Sequence, residues 1–333
     1  MSKVVTFVAK EKVELREDAT PEVKPGDLLL QATRTLISTG TEMIVLQQNF
    51  EPGTHWAGWA VFPFRAGYSF AGKVAKVGAG VEGWKVGDRA ASRCWHASEI
   101  VQPATACVRI PDGVTDEEAT WFGLGKIVQI GVRAAEHKMG DVVAIIGMGP
   151  LGQLVTQYAR LMGASEVIAI DTAPKRLEWA AAHGATSTLQ MTAAEALDEV
   201  KRLSGGRGAD VVYDVTGHPK VFASALTLAR RFGRVVLLGD AGQPSEQRLT
   251  IDVVTRGLTI VGAHDGHPPD QPTDLVRWSN QQMYDLFLKY VARKQIRVGD
   301  LITHHFKPAN CQDAYNVLKE KRDQAMGVMF DWA

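Results

Sequence analysis

The run Val142–Asp171, VVAIIGMGPLGQLVTQYARLMGASEVIAID, constrains what this chain can fold into more than any other stretch. Val142–Ile146 is continuously apolar, as a parallel strand buried on both faces must be, and Gly147, Gly149 and Gly152 follow it at G-x-G-x-x-G spacing. Gly147 permits the tight turn, Gly149 leaves no Cβ between the backbone and a pyrophosphate, and Gly152 lets the next helix lie close on the strand. Pro150 and Leu151 open that helix, because a proline in the first turn lacks only an N–H that has no intrahelical partner. The helix is predicted from about Pro150 to Met162, with Leu151, Val155, Tyr158 and Met162 on one face and Gly163 as its stop. A second apolar strand, Val167–Ile170, ends in Asp171, nineteen positions after Gly152.

A glycine pattern alone is weak, since 32 glycines in 333 residues scatter such spacings by chance. Strand, loop, helix, strand and terminal carboxylate in order carry far more, and they point to a dinucleotide. A carboxylate at Asp171 accepts hydrogen bonds from a ribose 2′-hydroxyl and repels a 2′-phosphate, which selects NAD over NADP. Arg176, five residues on, either lies over the adenine or pairs with a phosphate, and keeps the NADP reading open.

The length suggests two domains. Lys plus Arg and Asp plus Glu are both 37, so nothing in the charge balance favours nucleic acid or an anionic membrane as partner. The N-terminal MSKVVTFVAKEKVEL alternates like a strand, and no apolar run approaches the ~20 residues of a membrane span, which points to the cytoplasm. Cys94, Cys107 and Cys311 are widely spaced, as reduced thiols rather than a disulfide framework or cysteine-rich zinc site would be.

Residues 1 to 121 read as a β-rich, antiparallel, barrel-like unit, with strands at Val4–Ala9, Val13–Glu17, Asp27–Thr33, Gly72–Val77 and Ile100–Pro103. The aromatic segment NFEPGTHWAGWAVFPFR (49–65) within it is either a hydrophobic plug or the wall of a substrate pocket. Residues 122 to 264 alternate helix and strand, the signature of an α/β doubly wound parallel sheet. Further strands are expected at Asp210–Asp214, Arg234–Leu238 and Leu258–Gly262, and Val215, Leu238 and Gly239 join the candidate cofactor contacts at their ends. Residues 265 to 333 return to the first domain, with helices over Thr273–Lys294 and Pro308–Lys321.

With these residues in view, the whole chain resembles the medium-chain dehydrogenase/reductase family. The resemblance rests on GYSFAGKVAKVGAGVEGWKVGDR (67–89), the glycine loop, RGADVVYDVTG (207–217) and LITHHFKPANCQDAYNVL (301–318). It implies a Rossmann domain, a GroES-like catalytic domain built from both chain ends, hydride transfer, and a homodimer or homotetramer joined through the nucleotide domain. The departures from the family pattern are as informative. Zinc-bearing members carry a Cys where Thr39 stands, a G-H-E motif where the chain reads Gly67-Tyr68-Ser69, and a third ligand near Phe122 or Gly123. Zn²⁺ needs three or four N, S or carboxylate ligands, so no metal is expected; a pair such as His264 and His267 reads as ordinary polar surface.

The segment ISTGTE (37–42) is also similar to zinc-less bacteriochlorophyllide dehydrogenases, which act on a secondary hydroxyl. Without a metal, side chains must take the alcohol proton and stabilise the alkoxide. The resemblance places Thr41 at the family's hydroxyl-relay position, Glu42 and Tyr68 in the old ligand neighbourhood, Lys126 on the segment passing the nicotinamide, and His264 after the sixth strand. Lys126 reads equally as an exposed helix lysine; His96 beside Trp95 is a weaker candidate, read more readily as a packed turn residue. The chain is therefore read as a zinc-independent, NAD-dependent oxidoreductase acting on a secondary alcohol, with a polyol, sugar or cyclitol, or the matching ketone, as small-molecule partner. A quinone or enoyl reductase of the same fold, and a non-catalytic NAD-binding sensor, are the alternatives.

Overall fold

The computed structural model describes residues 1–269 and 271–333, which divide into two compact units. One comprises Met1–Asn49, His55–Leu124 and the chain after residue 270; the other comprises Phe50–Thr54 and Gly125–Pro269. No helix among the described residues is long and apolar enough to cross a membrane.

The second unit holds a six-stranded, all-parallel sheet in the order Ser187–Gln190, Glu166–Asp171, Val142–Ile146, Ala209–Asp214, Ala229–Leu237, Thr259–Gly262. The apolar Val142–Ile146 run is fully buried near its middle, as a strand covered on both faces requires. Its Val142, Ala144 and Ile146 join Ile168, Ile170, Val212, Leu226 and Val235 in one core, each fully buried aliphatic contributing about 1.5–3 kcal/mol. The strand order reverses between the 142–146 and 209–214 strands, and such a switch point leaves a crevice at the carboxyl ends of the strands.

The first unit is β-rich. Ser2–Ala9 pairs with Lys12–Asp18 and Phe64–Arg65 in a small sheet. A larger sheet runs Ile302–Phe306, Gly327–Asp331, Asp27–Leu36, Phe70–Val77, Arg89–Ser92, Cys107–Arg109, with Glu99–Pro103 also on Asp27–Leu36. Its pairs within residues 1–121 are antiparallel, as the sequence indicates, and the C-terminal segment adds one parallel pair, 302–306 with 327–331, joined by the crossover helix Cys311–Glu320. The C-terminal strand pairs with Asp27–Leu36, so both chain ends complete this unit.

Several local expectations are corrected. The helix anticipated over 273–294 is Asn280–Ala292, because Ser279 and Gln282 close a capping box that fixes its start. The aromatic 49–65 segment contains a short helix, His55–Trp59. The helix after the glycine loop ends at Leu161, leaving Met162 exposed rather than on the buried face.

Candidate functional site

The glycine loop owes its shape to three different demands. Gly147 sits at φ +94°, and a Cβ there would meet Thr216 Cγ2 at 2.8 Å. At Gly152 a Cβ would lie 2.0 Å from the Gly147 carbonyl oxygen, so the helix Pro150–Leu161 reaches its place on the strand only without a side chain. Gly149 is the opposite case, with nothing within 4 Å of its virtual Cβ. Open space over a backbone that begins a helix at Pro150, with Leu151 half-buried behind it, is where an anionic pyrophosphate fits.

Asp171 ends the Glu166–Asp171 strand with its side chain 8% exposed. One carboxylate oxygen accepts the Met148 N–H at 2.7 Å and the other the Ala173 N–H at 2.8 Å, while the Arg176 guanidinium stands 3.8 Å away. The carboxylate is thus tied to the loop itself, and Arg176 lies beside it. On the far side of the switch point, Val215 N–H donates to Ile146 O, and Leu238 and Gly239 N–H both donate to Asp214 O at 3.0 Å. Asp214 is buried, and burial pushes its carboxyl above the usual range, against hydrogen bonds from Thr216. These residues fit a dinucleotide at the carboxyl edge of the sheet.

In the same unit Lys126 is not an exposed helix lysine: it is 2% exposed. Its ammonium donates to the Asp265 carboxylate at 2.6 Å and to the Asp265 carbonyl at 2.5 Å, which ties the helix Phe122–Ala134 to the segment after the last strand. His264, the preceding residue, is exposed; its Nδ1 accepts the Gly266 N–H at 3.1 Å and its ring lies 5.9 Å from that of His267.

The other candidates belong to the β-rich unit. Ser38 and Glu42 close a reciprocal turn, Glu42 N–H donating to Ser38 O at 3.0 Å and Ser38 N–H to Glu42 Oε1 at 2.7 Å. Thr41 opens the helix Thr41–Gln47 there and is half-buried. Glu42 is 1% exposed; its Oε2 accepts a short hydrogen bond from Tyr315 and lies 3.1 Å from His96 Nε2. Burial, reinforced by the Glu42 charge, holds the Tyr315 phenol well above its ordinary ionisation range, so it stays a donor. His96, read from sequence as a packed turn residue, is fully buried in this network, and its Nδ1 has no hydrogen-bond partner. Gly67, at φ +97°, passes so close that a Cβ would lie 2.7 Å from the His96 ring.

Tyr68 follows Gly67, half-buried, with its hydroxyl in a short hydrogen bond to Ser38 Oγ and the Arg93 guanidinium 4.3 Å from its ring centroid. The sheet register explains the meeting. Thr35, Phe70 and Ser92 lie in one row across three strands, so the residues just past those strand ends emerge at one rim of the sheet. Ser38, Arg93 and Tyr315 were not among the sequence candidates. The available signal for Tyr315 was a tyrosine on the apolar face of the amphipathic CQDAYNVL helix, where a buried hydroxyl needs a partner.

The positions at which zinc-bearing relatives hold their metal carry Thr39, Tyr68 with Ser69, and Phe122 or Gly123. Thr39, Ser69 and Phe122 are buried, and none of these side chains supplies an imidazole, thiolate or carboxylate. The nearby carboxylate and imidazole, Glu42 and His96, are engaged with each other. This donor set does not fit a catalytic zinc.

A doubly wound parallel sheet with a glycine loop, on a chain that also builds a GroES-like β unit, defines the class as a dinucleotide-binding α/β protein. Comparison with known proteins narrows it. The "Zinc-binding dehydrogenase" family model matches residues 150–281, and the "Alcohol dehydrogenase GroES-like domain" model matches residues 24–120. An alcohol dehydrogenase of Cupriavidus necator is 26% identical, the match covering 98% of each chain. A sorbitol dehydrogenase of Bacillus subtilis is 28% identical over 80% of each. Among solved structures, an Escherichia coli oxidoreductase/dehydrogenase of unknown specificity superposes with a TM-score of 0.84 at 18% identity, covering 99% of both chains. The chain belongs to the medium-chain dehydrogenase/reductase family.

Proposed function

We propose that the chain is an NAD-dependent oxidoreductase that transfers hydride between a secondary alcohol, of the polyol, sugar or cyclitol class, and the nicotinamide, without zinc. The observation that carries the reading is an intact dinucleotide loop ending in the Asp171 carboxylate, in a chain whose metal positions hold Thr39, Tyr68 and Ser69. The relatives named as alcohol and sorbitol dehydrogenases support the CH–OH chemistry.

NAD supplies the hydride acceptor. Residues Gly147 to Gly152 would cradle its pyrophosphate, Asp171 would take its ribose hydroxyls in exchange for the Met148 N–H, Arg176 would flank the adenosine end, and Val215, Leu238 and Gly239 would line the strand ends. Among the catalytic candidates, Tyr68 and Thr41 carry hydroxyls able to relay a proton, Glu42 organises Ser38, and Lys126 and His264 offer positive charge or a proton to a developing alkoxide. We place assembly into a homodimer or homotetramer at the sheet edge of the nucleotide unit, where Leu249, Ile251 and Val254 are exposed ahead of the last strand.

A turnover screen of polyols, sugars, cyclitols and quinones with both nicotinamide cofactors tests the reading. Oxidation of a secondary alcohol with NAD preferred is expected, and Asp171→Ala should raise the NADP/NAD preference ratio. A wild type that prefers NADP, reduces only quinones, or binds NAD without turning over any substrate overturns it.

A further inference from the structure

Of the five catalytic candidates, Tyr68 has its hydroxyl on Ser38 Oγ and its ring under the Arg93 guanidinium, both partners drawn from neighbouring strand ends. Glu42 is 1% exposed and bonded to Ser38, Tyr315 and His96, which leaves it nothing to exchange with a substrate. Lys126 already spends two donors on Asp265. Resting on the reading of a zinc-free alcohol oxidoreductase, we propose that Ser38, Tyr68 and Arg93 form its proton-transfer device. Tyr68 is the proton carrier, Ser38 and Arg93 are positioning residues, and Glu42 is the buried strut that fixes Ser38.

Three observations support this. The register that aligns Thr35, Phe70 and Ser92 brings the three residues, each one or two positions beyond a strand end, to one rim of the sheet. The Ser38 hydroxyl and the Tyr68 oxygen share a short hydrogen bond in which either can donate, and with Ser38 as the donor the bond stabilises a phenolate. The Arg93 guanidinium, 4.3 Å from the ring centroid, is always cationic and favours negative charge on the aromatic group beneath it. Gly123 keeps the place compact: a Cβ there would approach Ser69 Oγ at 3.2 Å and an Arg93 guanidinium nitrogen at 3.4 Å.

In the oxidation direction the hydroxyl proton of the alcohol passes to the phenolate oxygen of Tyr68, forming phenol. The C–H bond breaks with its electron pair going to NAD⁺, the C=O bond forms, and the phenol releases its proton to solvent before the next turnover. Reduction runs the same steps backwards, Tyr68 protonating the incipient alkoxide.

The test compares Tyr68→Phe, Arg93→Gln, Arg93→Lys and wild type by two readouts. Tyr68→Phe should lower kcat by about 10²–10⁴-fold with NAD affinity unchanged. An ultraviolet titration of tyrosinate, run without cofactor, isolates Tyr68 as the signal that Tyr68→Phe removes; burial holds the Tyr213 and Tyr315 phenols well above the ordinary range. That signal should move to higher pH in Arg93→Gln, with a smaller shift in Arg93→Lys, and the pH profile of kcat/KM should move with it. Full kcat in Tyr68→Phe, or a Tyr68 signal at the same pH in wild type and Arg93→Gln, overturns the proposal. If wild type oxidises no alcohol, the functional reading falls, and the titration alone then supports or overturns the coupling of Tyr68 to Arg93.

Discussion

The glycine loop and the Ser38–Tyr68 region hold their chemistry by different means. In the loop, backbone does the work: Gly152 is packed against a carbonyl, Gly147 is in a left-handed conformation, and Gly149 faces open space. Around Tyr68, side chains from distant parts of the chain satisfy one another, Tyr315 reaching Glu42 across 273 positions. The first arrangement restricts residue type position by position. The second requires only that partners agree.

The largest effect is expected within the loop itself, where two glycines should behave in opposite ways. Gly152→Ala drives a Cβ to 2.0 Å from the Gly147 oxygen and should cost roughly 4 kcal/mol or more, seen as a fall in the denaturant midpoint. Gly149→Ala, at φ −72° and with no neighbour in reach, should change stability by less than about 0.5 kcal/mol while weakening NAD binding. Equal behaviour of the two would break the distinction between a packed and a ligand-facing glycine.

Next comes the side-chain network. Glu42→Leu leaves the Tyr315 hydroxyl and the His96 ring buried without their acceptor and should cost about 3–5 kcal/mol by chemical denaturation. A neutral result would show that the network is not closed as described.

Lys126→Met tests the same idea in the nucleotide unit. Asp265 is 31% exposed and can rehydrate, so the loss should be about 1–3 kcal/mol, below that of a fully buried pair. A fall in kcat beyond what the stability loss explains would return the ammonium to the chemistry; an unchanged kcat would leave it as the tie between its helix and Asp265.

How much of this was legible in the sequence follows from the same contrast. The Val142–Asp171 unit could be read because each glycine answers a local backbone demand and the apolar runs have the length of buried strands. The capping box that starts the helix at Asn280 was also present, as Ser279 and Gln282, inside the segment read as helical from Thr273. Burial of Lys126 had a signal in its apolar neighbours Leu124, Ile127 and Val128. Ser38 and Arg93 had none, because only the register of three strands brings them to Tyr68.

The smallest effect concerns pH. His137 is buried with Nε2 2.6 Å from the Tyr213 hydroxyl, and burial lowers its pKa from the usual 6.5, with Asp141 opposing. The folded state therefore binds the proton less readily than the unfolded chain. This contribution to stability is full above about 6.5 and is lost as pH falls toward the lowered folded value. Denaturation midpoints measured between about pH 7 and about pH 5 should decline less steeply in His137→Gln than in wild type. Parallel slopes would remove His137 from the acid sensitivity.

The central claim, NAD-dependent oxidation without zinc, is tested most directly by elemental analysis of purified, chelator-dialysed protein, paired with its turnover of a secondary alcohol with NAD. The account predicts no stoichiometric zinc and full retention of turnover. Zinc bound at one ion per chain, with activity lost on its removal and restored on its return, would contradict it.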